Sequence, residues 1–127
     1  NYGTVHGGNV MKWMDEIGAM SAMRFAGETC VTAAVDGMSF RRPIPIGDTA
    51  LIESYVYAAG RTSVRVRLQV ARENPRTGET EATTESFFTF VALRDGKPTP
   101  VPALEVETDR DERWRREALA GEPDPEV

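Results

Sequence analysis

Residues 7–26 read GGNVMKWMDEIGAMSAMRFA, and the arrangement of the remaining chain follows from this segment. Small and apolar side chains recur there every three or four residues, in two adjacent rows: Val10, Met14, Ile17 and Ser21, then Met11, Gly18, Ala22 and Phe25. That spacing predicts an amphipathic α-helix with one wide apolar face. Gly27, directly after the segment, favours a helix end. A single helix with so wide an apolar face needs a sheet wrapped around it.

Downstream of this helix the hydrophobic period changes from 3.6 to 2, which is typical of β-strands. The pattern is clearest in residues 63–72, SVRVRLQVAR, where Val or Leu occupies every second position from 64 to 70. The sequence predicts strands at Cys30–Phe40, Asp48–Ala58, Ser63–Arg72 and Glu79–Leu93. Because the loops between them are short, antiparallel pairing is favoured. We therefore predict an α+β fold, an antiparallel sheet wrapped around one long central helix.

The chain has 127 residues, which is enough for one domain, and it contains no internal repeat. We expect residues 1–105 to form the helix-and-sheet domain. We expect residues 106–127 to follow this domain as a charged helix, over residues 106–119, and an acidic tail. The tail after Gly121 is acidic and contains two prolines, so it is expected to be frayed.

The composition excludes several classes of function. One Cys cannot form an internal disulfide or a paired-cysteine site, and one His cannot supply a two-histidine zinc motif, so no metal is predicted. A net charge of -5 disfavours nucleic acid as a partner. No apolar run is long enough to span a membrane, and no secretory signal is visible, although the sequence opens on Asn1 rather than Met. We expect a cytoplasmic protein.

Asp15 stands out because its position falls on the apolar face, in the row of Met11 and Gly18. A carboxylate among apolar neighbours costs free energy unless it is hydrogen-bonded, so its presence suggests a functional role. The structural alternative is that Asp15 faces a loop and pairs with a backbone donor. The spacing by itself leaves both interpretations open.

The segment His6-Gly7-Gly8 lies at the predicted start of the helix. Two glycines let another molecule approach the backbone closely, and N–H groups of a first helical turn can receive a polarised carbonyl oxygen or an anion. The alternative is a tight turn. His6 is the one side chain expected to titrate near neutral pH, although a lone His beside Gly is more often structural or exposed.

The loop Gly60-Arg61-Thr62-Ser63 carries one guanidinium and two hydroxyls, which suit a phosphate or an amide group of a ligand. Its alternative interpretation is a simple hairpin turn. Arg41 and Arg42, before a proline, are ambiguous in the same way. Cys30 is expected to be a buried structural thiol. Four methionines at helical spacing are expected to lie in the core: Met11, Met14, Met20 and Met23.

Taken together, these segments resemble the hot-dog-fold acyl-CoA thioesterases, specifically the group with the bacterial YciA-type and the brain-type cytosolic acyl-CoA hydrolases. The resemblance spans residues 1 to about 104. The residues that carry it are Gly3–Gly8, Met11, Trp13–Glu16, Val31–Ala33, Met38, Phe40, Pro43, Gly47-Asp48, Gly60–Ser63, Phe88–Ala92, Gly96–Pro98 and Val101-Pro102.

The resemblance implies a hot-dog fold and hydrolysis of acyl-CoA to a free acid and CoA, without a metal or other cofactor. Asp15 matches the family's catalytic aspartate, which acts as general base or as nucleophile. The Gly8 N–H would polarise the thioester carbonyl. The Gly60–Ser63 loop matches a segment that contacts CoA, and Arg41 is a further candidate for its phosphates.

The resemblance also implies a homodimer with sheets joined edge to edge, often assembled into a trimer of dimers, with active sites between subunits. The family uses an Asn just before the Gly-rich stretch. Asn1 stands one residue closer to Gly3 than that pattern requires, and we keep it as a candidate beside His6. Candidate residues for the acyl tunnel are Met20, Met23, Phe25, Tyr55 and Phe87.

Two other functions stay open on the same fold, because a fold does not fix a function. A non-catalytic acyl-CoA-binding sensor would bind the ligand without releasing CoA, and it would not need the Asp15 carboxylate. A dehydratase or hydratase would use a His together with a carboxylate, whereas the one His of this chain precedes the glycines.

Overall fold

The computed structural model of the chain describes residues 7–123. Two helices and five strands follow in this order: α1 (Gly7–Ala26), β1 (Thr29–Phe40), β2 (Thr49–Ala59), β3 (Ser63–Glu73), β4 (Thr80–Arg94), β5 (Lys97–Pro98) and α2 (Asp109–Gly121). The strands form one antiparallel sheet in the order β1-β4-β3-β2, with β5 paired to β4. The predicted α1 and the four predicted strands are confirmed, with ends displaced by no more than one residue.

The two faces of the sheet differ sharply, as the alternation in β3 predicts. Val64, Val66, Leu68 and Val70 are 0–1% exposed and pack with α1 in the main core; we call this the inner face. Side chains at the intervening positions lie on the opposite, outer face. Burying each of these Val or Leu side chains stabilises the fold by about 1.5–3 kcal/mol. The inner face therefore fixes where α1 lies.

The buried side of α1 is a single row of residues at every fourth position: Val10, Met14, Gly18 and Ala22. The helix contacts all four long strands through this side. The expectation that four methionines lie in the core was wrong for three of them, because Met11, Met20 and Met23 are 36–58% exposed. The apolar face of α1 is thus wider than the part that one sheet covers.

β1 and β2 are the edge strands of the sheet. The pairing of β1 with β4 is irregular at two places, between Thr32 and Ala34 and between Asp36 and Ser39. The second irregularity contains Gly37, whose φ of 64° is a backbone conformation that favours glycine. β1 is consequently a bulged edge.

A fifth, short strand, which was not predicted from the sequence, follows β4. Asp95 and Gly96 both have positive φ, of 53° and 77°, and form the two-residue turn between β4 and β5. Asp-Gly suits a hairpin turn of this kind. Pro98 is tolerated because β5 lies at the edge of the pairing.

α2 begins three residues later than predicted and packs on the outer face of the sheet. Thr108 caps it, because its side-chain oxygen accepts a 3.0 Å hydrogen bond from the Asp111 N–H. Ala118 is fully buried against Tyr57 and Phe87. α2 therefore covers part of the outer face of the sheet. Neither of the two described helices is long and apolar enough to cross a membrane.

The end of α2 is fastened to the sheet by polar contacts. The Tyr57 hydroxyl donates a 2.6 Å hydrogen bond to Glu122, and the guanidinium of Arg65 lies 2.7 Å from the same carboxylate. Tyr57 is 1% exposed. Burial, assisted by the hydrogen bond to Glu122, raises the pKa of Tyr57 well above its usual value.

We expect the stabilisation contributed by Tyr57 to be present up to about pH 10 and lost above it. The folded state holds the phenol proton more tightly than the unfolded state, so rising pH favours unfolding. Tyr57→Phe should lower stability at pH 8 by about 1 kcal/mol. It should then show a smaller fall in Tm between pH 8 and pH 11 than the wild-type chain. Equal falls in calorimetry would contradict this assignment.

Candidate active site

Asp15 lies at the border of the buried side of α1, where the helix meets β1. It is partly exposed, and its Oδ1 accepts a 2.5 Å hydrogen bond from the hydroxyl of Thr32. Asp15 thus flanks the apolar row rather than interrupting it. The partner is a side chain of the sheet, not the loop or backbone donor that the structural alternative proposed.

The Asp15–Thr32 pair combines a fixed carboxylate with access to solvent. The hydrogen bond holds Oδ1, and Thr32 itself is exposed on β1. Oδ2 of the same carboxylate has the chemistry to accept a proton from water or to attack a carbonyl carbon. A half-exposed, oriented carboxylate of this kind suits general-base or nucleophilic catalysis.

The start of α1 supplies a site of opposite polarity on the same side of the helix. Gly7 and Gly8 lie in the first turn, which contains no acidic residue to offset the positive end of the helix dipole. Gly8 and Asp15 are separated by about two helical turns, or roughly 10 Å along the axis. Because helical side chains lean toward the N-terminus, the Asp15 carboxylate reaches part of the way back.

The Gly60–Ser63 loop is the turn between β2 and β3, and backbone hydrogen bonds hold it at both ends and in the middle. The Gly60 N–H donates to Ser63 at 2.9 Å. The carbonyl oxygens of Thr62 and Arg61 accept from Ala92 and Val101, each at 2.9 Å. The loop is therefore rigid, and the exposed Arg61 projects from a fixed backbone.

This loop lies at the same end of the sheet as the Asp15–Thr32 pair. Ser63 pairs with Val91 on β4, which pairs in turn with Val31 on β1, directly beside Thr32. Two strand spacings, about 10 Å, separate the loop from Thr32. One chain thus brings together a carboxylate and a cationic loop.

Arg41 is not part of this arrangement. It follows the far end of β1, nine residues after Thr32, which places it roughly 25–30 Å away along the strand. Its guanidinium lies 3.9 Å from Glu85 beside an open cavity of about 490 Å³ on the outer face. A single chain therefore does not group Arg41 with the Gly60–Ser63 loop.

Asn1 and His6 lie outside the described residues, so their predicted roles stay predictions. Within residues 7–123, no three His, Cys, Asp or Glu side chains are grouped so that they could hold a metal ion. The buried thiol expected at Cys30 is confirmed, and burial raises its pKa.

Two sequence-based assignments near the site need correction. Tyr55 and Phe87 were candidates for the acyl tunnel, but they lie on the outer face and pack with α2: Tyr55 contacts Trp114, and Phe87 packs with Ala118. Thr32 was named only within the segment Val31–Ala33 and not as a site residue, although it donates a hydrogen bond to Asp15. The alternation of side chains along a strand could have identified Thr32. It lies two residues from the buried Cys30, so both side chains are on the face of β1 that is turned toward the helix.

Comparison with known proteins gives the family to which this fold belongs. The family described as the thioesterase superfamily matches residues 2–79. The chain belongs to the thioesterase superfamily, and the expected hot-dog fold is confirmed. The acyl-CoA thioester hydrolase YkhA of Bacillus subtilis, itself described as uncharacterized, is 41% identical over 112 residues. That match covers 87% of this chain and 65% of YkhA, so the chain spans less than two thirds of that relative.

Solved structures with a similar fold also include acyl-CoA hydrolases. An apo-hexameric acyl-CoA thioesterase is 41% identical, with a TM-score of 0.86 over 94% of this chain and 78% of the other. The acyl-CoA hydrolase of Staphylococcus aureus, solved with butyryl coenzyme A and coenzyme A, is 35% identical, with a TM-score of 0.85 over 94% and 74%. Variants of the Staphylococcus enzyme with an Asn, a Thr or an Asp replaced by Ala have also been solved.

The packing of the Gly60–Ser63 loop gives a testable prediction. A Cβ added at Gly60 would lie 2.6 Å from the Ser63 hydroxyl oxygen but 3.9 Å from Ser63 Cβ. We therefore expect Gly60→Ala to lower the free energy of unfolding by about 1 kcal/mol. The double variant Gly60→Ala/Ser63→Ala should recover most of that loss in urea unfolding. Ser63→Ala alone is the control, and additive losses in the double variant would refute the contact.

Proposed function

We propose that this chain is an acyl-CoA thioesterase, which hydrolyses acyl-CoA to a free carboxylic acid and CoA. The observation that carries the proposal is the Asp15 carboxylate held by the Thr32 hydroxyl at 2.5 Å, two helical turns from the Gly-Gly start of α1 on the same side of the helix. Membership of the thioesterase superfamily and the likeness to acyl-CoA hydrolases support it.

The spacing of the residues replaced in the Staphylococcus enzyme supports the same assignment. The Asp and the Thr of those variants are 17 residues apart in that chain, as Asp15 and Thr32 are here. The Asn precedes that Asp by 15 residues, whereas Asn1 precedes Asp15 by 14. Asp15 and Thr32 therefore match in spacing, and Asn1 is one position out of register.

The proposed chemistry uses two groups of α1, the backbone N–H of its first turn and the carboxylate of Asp15. The thioester oxygen accepts a hydrogen bond at the Gly8 N–H, which makes the carbonyl carbon more electrophilic. Asp15 Oδ2 then takes a proton from a water that attacks this carbon, and the tetrahedral intermediate collapses to the acid and CoA thiolate. In the alternative step, Oδ2 attacks the carbonyl carbon directly, the carbon–sulfur bond breaks to release CoA thiolate, and water then hydrolyses the resulting mixed anhydride to the free acid and the Asp15 carboxylate. A single turnover in ¹⁸O-labelled water distinguishes the two.

The Gly60–Ser63 loop is the proposed binding site for the CoA part. The guanidinium of Arg61 is exposed and suits a phosphate of CoA. The hydroxyls of Thr62 and Ser63 suit the amides of the pantetheine arm. Arg41 lies too far from this loop to serve the same ligand within one chain. A contribution from Arg41 would require a second copy.

We propose a homo-oligomer, with a homodimer as the unit and a trimer of dimers as the assembly. The long edge strand β1 supports the proposal, because its outward backbone groups are available to pair with another strand. A similar solved thioesterase is hexameric. Metal-independent hydrolysis and a cytoplasmic location remain predictions that a chelator assay and localisation would test.

Asp15→Asn should lower kcat for thioester hydrolysis by about 10²–10⁴-fold, because it removes the base or nucleophile. The fold and the affinity for CoA should be retained, as circular dichroism and calorimetry would show. Near-wild-type release of free thiol by this variant would refute the role of Asp15.

Thr32 offers a matched pair of variants in the same free-thiol assay. Thr32→Val removes the hydrogen bond to the carboxylate and should lower kcat about 10-fold or more. Thr32→Ser keeps the hydroxyl and should retain most activity. A wild-type chain that binds acyl-CoA but releases no CoA would instead be a sensor, and turnover of enoyl-CoA alone would indicate a hydratase.

Arg61→Ala should raise KM for acyl-CoA about 10-fold and leave kcat nearly unchanged, because it removes a phosphate contact remote from the reacting carbonyl. Arg76→Ala is the matched control, since Arg76 is an exposed arginine in the turn at the opposite end of β3. Equal effects of both substitutions would refute a specific role for the Gly60–Ser63 loop.

A further inference from the structure

We propose that Gly18 and Phe90 are positioning residues, which set the distance between the Asp15 carboxylate and the Thr32 hydroxyl. The inference rests on the proposed function only for its effect on turnover. Its geometric basis is the depth at which α1 packs against the sheet, one helical turn beyond Asp15.

At Gly18 the helix backbone approaches the inner face more closely than a side chain would permit. A Cβ at this position would lie 3.1 Å from Phe90 Cζ and 3.1 Å from Leu68 Cδ1. Non-bonded carbon atoms are most stable at about 3.5–4.0 Å. The absence of a side chain at Gly18 therefore lets α1 lie several tenths of an ångström deeper.

The residue under Gly18 is also the cross-strand neighbour of Thr32. Phe90 on β4 pairs with Thr32 on β1, and Thr32 donates to Asp15, which lies three residues before Gly18. Asp15, Gly18, Phe90 and Thr32 thus form a closed circuit through the helix, β4 and β1. If α1 moves away from the sheet at Gly18, the distance between Asp15 Oδ1 and Thr32 Oγ1 increases and their hydrogen bond weakens.

The neighbours of Gly18 have little room to yield. Phe90 and Leu68 are both 0% exposed, and the Phe90 ring lies over Phe88 with centroids 6.0 Å apart. Because both side chains are enclosed by the core, a methyl group at position 18 displaces the helix rather than the ring.

The test compares Gly18→Ala with Val70→Ile, a matched control that also adds one methyl group to the core. Val70 lies six residues along β3 from Val64, which is the cross-strand partner of Phe90. Both variants should remain folded, because Ala favours the helix at position 18 and offsets part of the crowding there. Gly18→Ala should lower kcat about 10-fold with KM for acyl-CoA nearly unchanged, and Val70→Ile should leave both constants unchanged. A kcat within twofold of wild type for a folded Gly18→Ala chain would overturn the proposal.

A double-mutant cycle separates positioning from a general loss of stability. Once Thr32→Val has removed the hydrogen bond, adding Gly18→Ala should lower kcat no further. Independent, multiplicative losses would overturn the proposed coupling. Gly18→Ala combined with Phe90→Leu should recover part of the activity, because it removes the closest ring atoms.

A readout independent of turnover distinguishes this inference from the proposed function. In a crystal structure of Gly18→Ala, we expect Thr32 Oγ1 and Asp15 Oδ1 to be more than about 3.2 Å apart. An intact hydrogen bond in that variant overturns the inference even if the wild-type chain is a thioesterase. Conversely, a lengthened contact supports it even if Asp15→Asn retains activity and the proposed function fails.

Discussion

The packing of one buried row of α1 against the inner face of β3 and β4 fixes where the other elements lie. Gly18 has no side chain, so the helix approaches Phe90 and Leu68 closely enough for Asp15, on the flank of the same row, to meet Thr32. A hydrophobic contact thus determines the geometry of a polar pair. The carboxylate needs no buried ion partner, because a neutral hydroxyl orients it and the residue is partly exposed.

The outer face of the sheet is organised on a different principle. Arg67 is 11% exposed and donates to Glu85 and to the Tyr55 hydroxyl, which itself donates to the Trp114 carbonyl oxygen of α2. Burying a guanidinium costs free energy unless it is paired and hydrogen-bonded in this way. Apolar burial thus places α1 and the candidate active site, whereas α2 is held on the outer face by both a small apolar cluster and this polar network.

Much of the fold could be predicted because local sequence determines it: the alternation in β3 and the helical spacing of α1 gave bounds within one residue. What could not be predicted depends on register and on which face is covered. Thr32 meets Asp15 only because β1 pairs with β4 in one particular register. Tyr55 and Phe87 look like core residues, and they are, but their core is formed with α2. Periodicity assigns a side chain to a face without saying what covers that face.

The two irregularities of β1 affect how readily strands of other chains can pair with this edge of the sheet. A regular, flat edge of this length would accept almost any extended peptide and would invite unspecific aggregation. Here the ladder is interrupted after Thr32 and again after Asp36, so its uninterrupted stretches are short. A strand of ordinary geometry that pairs with such an edge loses alignment after a few residues. The bulged edge therefore discriminates against extended strands of regular geometry.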